Sequence, residues 1–283
     1  MLSVCIVNWN TRDFLLAALK SIYDAPPDFP FEVLVVDNHS VDGSAGAARE
    51  NFPQVILIAN TENAGYARGN NQALERANGA YKLLLNPDVI VPPGTLETAV
   101  RFMEAYTDAG ALGIRQVHPD GRLQPSVRGF PTPLAVLWEL TGFSRLFPKS
   151  GIFGAYRMTW FDYAQVLEVD QPMGTFLLIR AVVLEEVGLL DEAFPIFFNE
   201  VDWCLRCKRA GWKIYFTPDA QIIHHGGAST AQVGAAMAWE SRAGLLKFYA
   251  KYYRAAQFWP LRLLIAGASW PHAWLTAQKR RAR

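Results

Sequence analysis

Cysteine is scarce in this chain: three residues in 283 cannot build a disulfide framework. Cys204 and Cys207 form a Cys-x-x-Cys pair, but it sits inside a helical pattern with no second pair, so helix packing explains it better than zinc or redox chemistry. An excess of either charge is missing too. With 27 basic and 26 acidic side chains the net charge is +1, which gives no basic field for nucleic acid. The first strand-like run is not followed by Gly-x-Gly-x-x-Gly, and Gly-x-x-x-x-Gly-Lys-Ser/Thr is absent. These absences disfavour dinucleotide-dependent dehydrogenases and P-loop enzymes. The run Leu2 to Val7 is too short for a secretory leader, lacks a basic start and reads as a strand. A cytoplasmic protein is expected. Repeats and low-complexity segments are absent as well.

What the chain does have is alternation. Short apolar runs occur at Leu2 to Val7, Phe31 to Val36, Val55 to Ala59 and Tyr81 to Leu85. Helical spacing lies between them, at Arg12 to Tyr23, Ser44 to Asn51 and Ala67 to Ala77, with Asn10 placed to cap the first. Continuous hydrophobic strands alternating with helices predict an α/β fold with a mostly parallel sheet covered on both faces. At 51% hydrophobic the chain can bury a substantial core, as one enlarged domain with a C-terminal extension.

Polar residues gather where these runs end, and open α/β sheets bind ligands at the carboxyl ends of their strands. Asp37 can accept hydrogen bonds from a base or ribose. The stretch Asn63-Ala64-Gly65-Tyr66-Ala67-Arg68-Gly69-Asn70-Asn71 is either a ligand-binding entry to a helix or an ordinary glycine-containing helix start. Asn86-Pro87-Asp88 follows the apolar Leu83-Leu84-Leu85. It is either a proline turn or the site of a hard oxygen ligand for Mg2+ or Mn2+ shared with phosphates. Near the other end, Glu200 and Asp202 sit in the aromatic run Phe197 to Trp203. An acidic first helical turn accounts for them. So does a desolvated carboxylate whose raised pKa suits it to take a proton. Gln171-Pro172-Met173-Gly174-Thr175-Phe176 is either a bend or a wall on which Gly174 and Thr175 approach a substrate.

Taken together and in order, Ser3 to Asn10, Val35 to Asn38, Asn63-Ala64-Gly65, Leu85 to Asp88, Asn199 to Trp203 and His224-His225-Gly226-Gly227 resemble glycosyltransferase family two, in its bacterial rhamnosyltransferase-like branch. The resemblance runs from about residue 2 to about residue 253. It implies a GT-A fold, a nucleotide-diphosphate sugar donor (dTDP- or UDP-linked), a divalent metal, inversion at the anomeric carbon and a glycan or lipid-linked acceptor. By position, Asp37 matches the base-binding aspartate, with Asn8, Asn10, Asn63, Gly65, Asn71 and Asn86 around the donor. Asn86-Pro87-Asp88 matches the Asp-x-Asp motif with Asn in first place, so Asp88 is the metal ligand, and His224 or His225 can approach the metal or the diphosphate. Glu200 stands where the family usually has an aspartate as base. Asp202 supports it on the same helix, where Arg206, one turn on, can pair with Asp202. A non-catalytic sugar-nucleotide binder and a nucleotidyltransferase are the competing readings. Intact Asp88 and Glu200 argue against the first, and Asn8-Trp9-Asn10, which is not a basic glycine-rich loop, argues against the second.

Residues 116–165 hold a hairpin-like turn at His118-Pro119-Asp120-Gly121 and an aromatic stretch suited to a lid or acceptor loop. Residues 1–253 are expected to form the catalytic domain and 254–283 an extension. There, Phe258 to Trp270 is apolar but too short and interrupted for a membrane span, and Lys279 to Arg283 is basic. Such a tail suits either an anionic membrane surface, at the inner face of the cell membrane, or packing against the body or a second subunit in a homodimer.

Overall fold

The computed structural model of the protein describes residues 1–227 and 234–254; the expected C-terminal extension lies almost wholly outside them. The first half alternates as expected: β1 (Leu2–Asn8), α1 (Arg12–Asp24), β2 (Phe31–Asp37), α2 (Ser44–Asn51), β3 (Ile56–Ala59), α3 (Tyr66–Arg76) and β4 (Tyr81–Leu85). Then come β5 (Val89–Ile90), α4 (Thr95–Ala105), β6 (Ala109–Val117), β7 (Leu123–Gln124), β8 (Val127–Arg128), α5 (Pro133–Thr141) and α6 (Phe143–Leu146). The remainder is β9 (Leu167–Glu168), β10 (Gln171–Pro172), β11 (Phe176–Arg180), α7 (Ala181–Val187), α8 (Asn199–Arg209), β12 (Lys213–His224) and α9 (Gly234–Tyr252).

The main sheet runs β3-β2-β1-β4-β11-β6-β12-β5, with β7 on β6 and β9 on β12. β1, β2, β3 and β4 are mutually parallel, as are β6 and β12. β11 is antiparallel to both β4 and β6 and fills the centre of the sheet. Every residue of β1 is buried, because helices cover both faces. Val4 and Ile6 pack into one core, while Cys5 and Val7 pack into the other, the two-residue alternation of a doubly covered strand.

The start of α1 differs from expectation. Asn10 has φ +51° and its side chain accepts Val41 N–H rather than capping the helix. Asp42 caps it instead, its Oδ2 accepting Arg12 N–H at 2.8 Å, so the capping oxygen comes from 30 residues downstream. The expected hairpin is present: Gly121 N–H donates to His118 O, and Gln116 and Val117 pair with Gln124 and Leu123.

A third core joins α8 to α9 through Phe194, Phe198, Val201, Phe248 and Tyr249. Phe198 takes φ +72°, a strained conformation for an aromatic residue. Gly244 of α9 lies over it: a Cβ there would stand 2.7 Å from the Phe198 ring. Beneath this contact Asp202 is wholly buried. Arg206 Nε donates to its Oδ2 at 2.9 Å; Lys251 Nζ and Tyr252 O–H donate to its Oδ1, each at 2.6 Å. Lys251 also reaches Asp191 at 2.6 Å. The Arg206 pair expected from the i, i+4 spacing is thus part of a larger clamp between α8 and α9.

Breaking a buried ion pair from one side typically costs about 3 to 5 kcal/mol. Asp202→Ala is expected to lower stability by about 3 kcal/mol, since it removes the buried acceptor that Arg206, Lys251 and Tyr252 share. Lys251→Met should cost only about 2 kcal/mol, because Arg206 and Tyr252 still hold the carboxylate. Urea unfolding measures both, and equal losses would show that Lys251 alone carries the charge.

Candidate active site

The parallel strands deliver their carboxyl ends to one rim. Asn8 and Asp37 are register partners, as are Ile6 and Leu85, so the residues after β1, β2 and β4 stand side by side. β11 runs the opposite way, bringing the residues before it to the same rim, where Asn86 N–H donates to Thr175 O at 3.1 Å. β12 ends there as well: His224 pairs with Val89, and His225 N–H donates to Asp88 O at 3.0 Å. These ends enclose a cavity of about 460 Å³, lined among others by Trp9, Asn38, Asn63, Gly65, Tyr66, Asn86, Asp88, Met173, Gly174, Thr175, Glu200 and His224.

Several polar residues expected here do other work. Asn8 is fully buried. Its Nδ2 donates to Asp37 Oδ1 at 2.9 Å, and its Oδ1 accepts the Thr11 hydroxyl at 2.6 Å. Asp37 Oδ2 accepts Ser40 N–H at 2.9 Å. Neither lines the cavity; together with Asn10 they tie the loop after β1 to the loop after β2. Asn71 is also absent from the lining, because it brackets Leu190, donating to its carbonyl at 2.9 Å and accepting its N–H at 3.0 Å. His225 points elsewhere: it is exposed, with its ring 5.2 Å from that of Phe14. That follows from strand parity, since adjacent side chains leave opposite faces. Asp202, held by its clamp, does not line the cavity either.

The remaining candidates converge. Gly65 has φ +85° and sits against Pro195, whose carbonyl a Cβ would approach to 3.1 Å; Pro195 O also accepts Ala67 N–H at 3.0 Å. The loop leading to α8 is thereby pinned to the start of α3. Tyr66, whose part in the site carries no sequence signal of its own, closes the floor: its hydroxyl lies 3.0 Å from Gly174 O and 3.2 Å from Asn86 Oδ1. Burial, then the charge of Glu200, raises its phenol pKa, so it stays a neutral donor. A Cβ on Gly174 would lie 3.8 Å from Glu200 Cβ, so this stretch stands directly against the Glu200 side chain.

Two acidic groups face this cavity in different surroundings. Glu200 leads α8, and its Oε2 is buried with no hydrogen-bond partner. Burial pushes its pKa up to about 7. Asp88 is 5% exposed, and its Oδ1 lies 3.3 Å from His224 Nε2. Gln124, from the hairpin, meets His224 Nδ1 at 2.8 Å. That contact orients the ring and leaves Nε2 facing Asp88. Two adjacent ligands of an octahedral Mg2+ stand roughly 3 Å apart, so this pair fits a cation. No group of three or more His, Cys, Asp or Glu converges on a metal position among the described residues. A two-residue set suits Mg2+ or Mn2+ that takes its other ligands from phosphate and water. Among the described residues no Lys or Arg belongs to the lining.

A family model described as glycosyl transferase family 2 matches residues 3–167. The chain belongs to that family. Along its whole length it is 29% identical to the N-acetylglucosaminyl-diphospho-decaprenol L-rhamnosyltransferase of Mycobacterium tuberculosis (strain ATCC 25618 / H37Rv), 95% of which is covered. It is 25% identical to the rhamnosyltransferase WbbL of Escherichia coli (strain K12), over 57% of this chain and 61% of that one. Among solved structures, the mannosyltransferase PcManGT from Pyrobaculum calidifontis, in complex with GDP-Man and Mn2+, aligns with a TM-score of 0.56 at 19% identity. That match covers 99% of this chain and 79% of PcManGT. S. aureus TarS 1-349 aligns at 0.53 and 19%, over 84% of this chain and 64% of its own. The fold of this family 2 chain is GT-A, and the protein is an inverting glycosyltransferase.

The pKa of Glu200 makes the stability of this glycosyltransferase depend on pH with a definite sign. The carboxyl is raised from 4.5 to about 7, so between those values the folded state keeps a proton that the unfolded state has lost. Stability therefore falls as pH rises through this window and levels off above it. Glu200→Gln is expected to melt higher than the parent at about pH 8, with the gap narrowing toward about pH 5. A gap that does not change with pH would mean that the carboxyl is solvated.

Proposed function

We propose that this glycosyltransferase moves rhamnose from a dTDP- or UDP-linked donor to a hydroxyl of a lipid-linked glycan at the inner face of the cell membrane. Glu200 is its base. The observation that carries this reading is the unpartnered Glu200 Oε2, which shares a cavity with Asp88 and His224. The sugar assignment draws support from the two rhamnosyltransferase relatives and from the apolar part of the lining, Val7, Met173, Ile196 and Phe197. Such a surface suits the methyl group of a 6-deoxy sugar. The lipid-linked acceptor draws support from the printed name of the M. tuberculosis relative.

Inversion needs one displacement, one base and no nucleophilic carboxylate. Glu200 takes the proton from the acceptor hydroxyl as that oxygen attacks the anomeric carbon, for which it must come within hydrogen-bond reach. Gly174 leaves room beside it, and Thr175 and Tyr66 hold the wall. Asp88 and His224 would hold Mg2+ or Mn2+, whose chemistry here is to neutralise the departing diphosphate. Asp202 acts through Glu200 as a positioning residue, since its clamp fixes the first turn of α8.

Glu200→Gln is expected to retain donor and metal binding while losing transfer by roughly a hundredfold to ten-thousandfold. Glu200→Asp should keep measurable activity. The parent rate should rise with pH toward a plateau above about 7, as the carboxyl ionises. Transfer rates at saturating donor and acceptor decide the matter: near-parental activity in Glu200→Gln places the base elsewhere. Asp88→Ala should abolish metal-dependent donor binding, read by calorimetry. Donor affinity that is unchanged with Mg2+ or Mn2+ present removes Asp88 from the metal site.

A further inference from the structure

The segment from α5 to Trp160 stands outside the chemistry derived so far. Seven of the fourteen exposed large hydrophobic side chains among the described residues lie within it. Trp138, Phe143, Phe147 and Phe153 form one aromatic cluster, with ring centroids 5.1 to 6.4 Å apart. Phe143 and Phe147 are 40% and 45% exposed; Leu146, beside Phe147, and Ile152, beside Phe153, are each 68% exposed. Arg145 and Lys149 stand exposed between these side chains. Residues 140–161 contain no acidic side chain.

This combination selects its partner. Glu139 of α5 is already held by Arg157 at 2.6 Å, so a second copy docked isologously would bring Arg145 and Lys149 face to face without a free carboxylate to offset them. An anionic bilayer complements both properties, because aromatic and branched side chains enter the headgroup boundary while cations meet lipid phosphates. The location also fits: Val136 of α5 packs in one cluster with Phe194 and Phe198, just before Glu200.

We infer that the surface formed by α5, α6 and the loop after them docks on an anionic membrane leaflet beside the Glu200 side of the cavity. A lipid-linked acceptor then reaches the base without leaving the bilayer, a consequence that rests on the acceptor reading above. The surface itself does not depend on that reading.

The test is sedimentation of the full chain with phosphatidylcholine vesicles, with and without phosphatidylglycerol. Leu146→Ser combined with Ile152→Ser, at positions too exposed to be needed for folding, should weaken partitioning about tenfold. Arg145→Gln combined with Lys149→Gln should weaken binding about tenfold on the anionic vesicles alone. Both pairs should retain the parent's melting temperature and its donor hydrolysis in the absence of vesicles. Three results overturn the inference: a parent that ignores anionic vesicles at low salt, variants that sediment as the parent does, or a parent dimer that Leu146→Ser/Ile152→Ser makes monomeric without changing vesicle binding. Absent donor hydrolysis in the parent would count against the catalytic reading instead, and the vesicle result would stand by itself.

Discussion

Parallel hydrogen-bonded strands point the same way, and that constraint organises everything else in this molecule. Once β1 is paired residue for residue with β2 and with β4, the loops that follow all three must emerge on one rim. β12, parallel to β6, adds its own end to that rim. β11, running against its neighbours, brings its beginning there rather than its end. Segments far apart in sequence thus meet without any long-range recognition between their side chains. Helices on both faces keep the strands dry, so the rim is where polar groups can collect without an isolated burial cost.

Electrostatics then separates two carboxylates that share one cavity. Asp88 faces a histidine whose ring is oriented by Gln124, so its charge has a partner or a place for a cation. Glu200 has apolar surroundings and one oxygen with nothing to bind. Environments that push two like groups apart in pKa give them different chemistry. The third carboxylate, Asp202, is the most buried of the three, yet Arg206 of α8 and Lys251 and Tyr252 of α9 satisfy its charge. It serves as an anchor.

The alternation of the first 85 residues was legible because apolar runs of strand length and helical spacing are local signals. Asn63, Gly65, Asn86, Asp88, Gly174, Thr175, Glu200 and His224 share a cavity because they occupy rim positions. Asn8, Asn10 and Asp37 occupy such positions too, but a polar side chain at a strand end can close a loop as readily as meet a ligand, and Asn71, inside α3, is taken up by Leu190. Only the partner's coordinates tell which. His225 was separable by strand parity alone, had the exact end of β12 been known. Gln124, Lys251 and Tyr252 gave no signal, since each acts on a residue 49 to 100 positions away. The antiparallel β11 was equally hidden, because nothing in Phe-Leu-Leu-Ile-Arg states the direction in which it runs.

That central strand governs how the chain can be made. Until β11 arrives, β4 and β6 each present an unpaired edge, with Leu83 to Leu85 on one and Ala111 to Leu112 on the other. These are interior hydrophobic edges, the kind that aggregate when left open. A chain interrupted before Phe176 therefore has no stable half-sheet to fall back on. The first four strands and helix α8 become a folded protein in the same cooperative event, so quality control meets either a complete enzyme or an exposed, degradable intermediate.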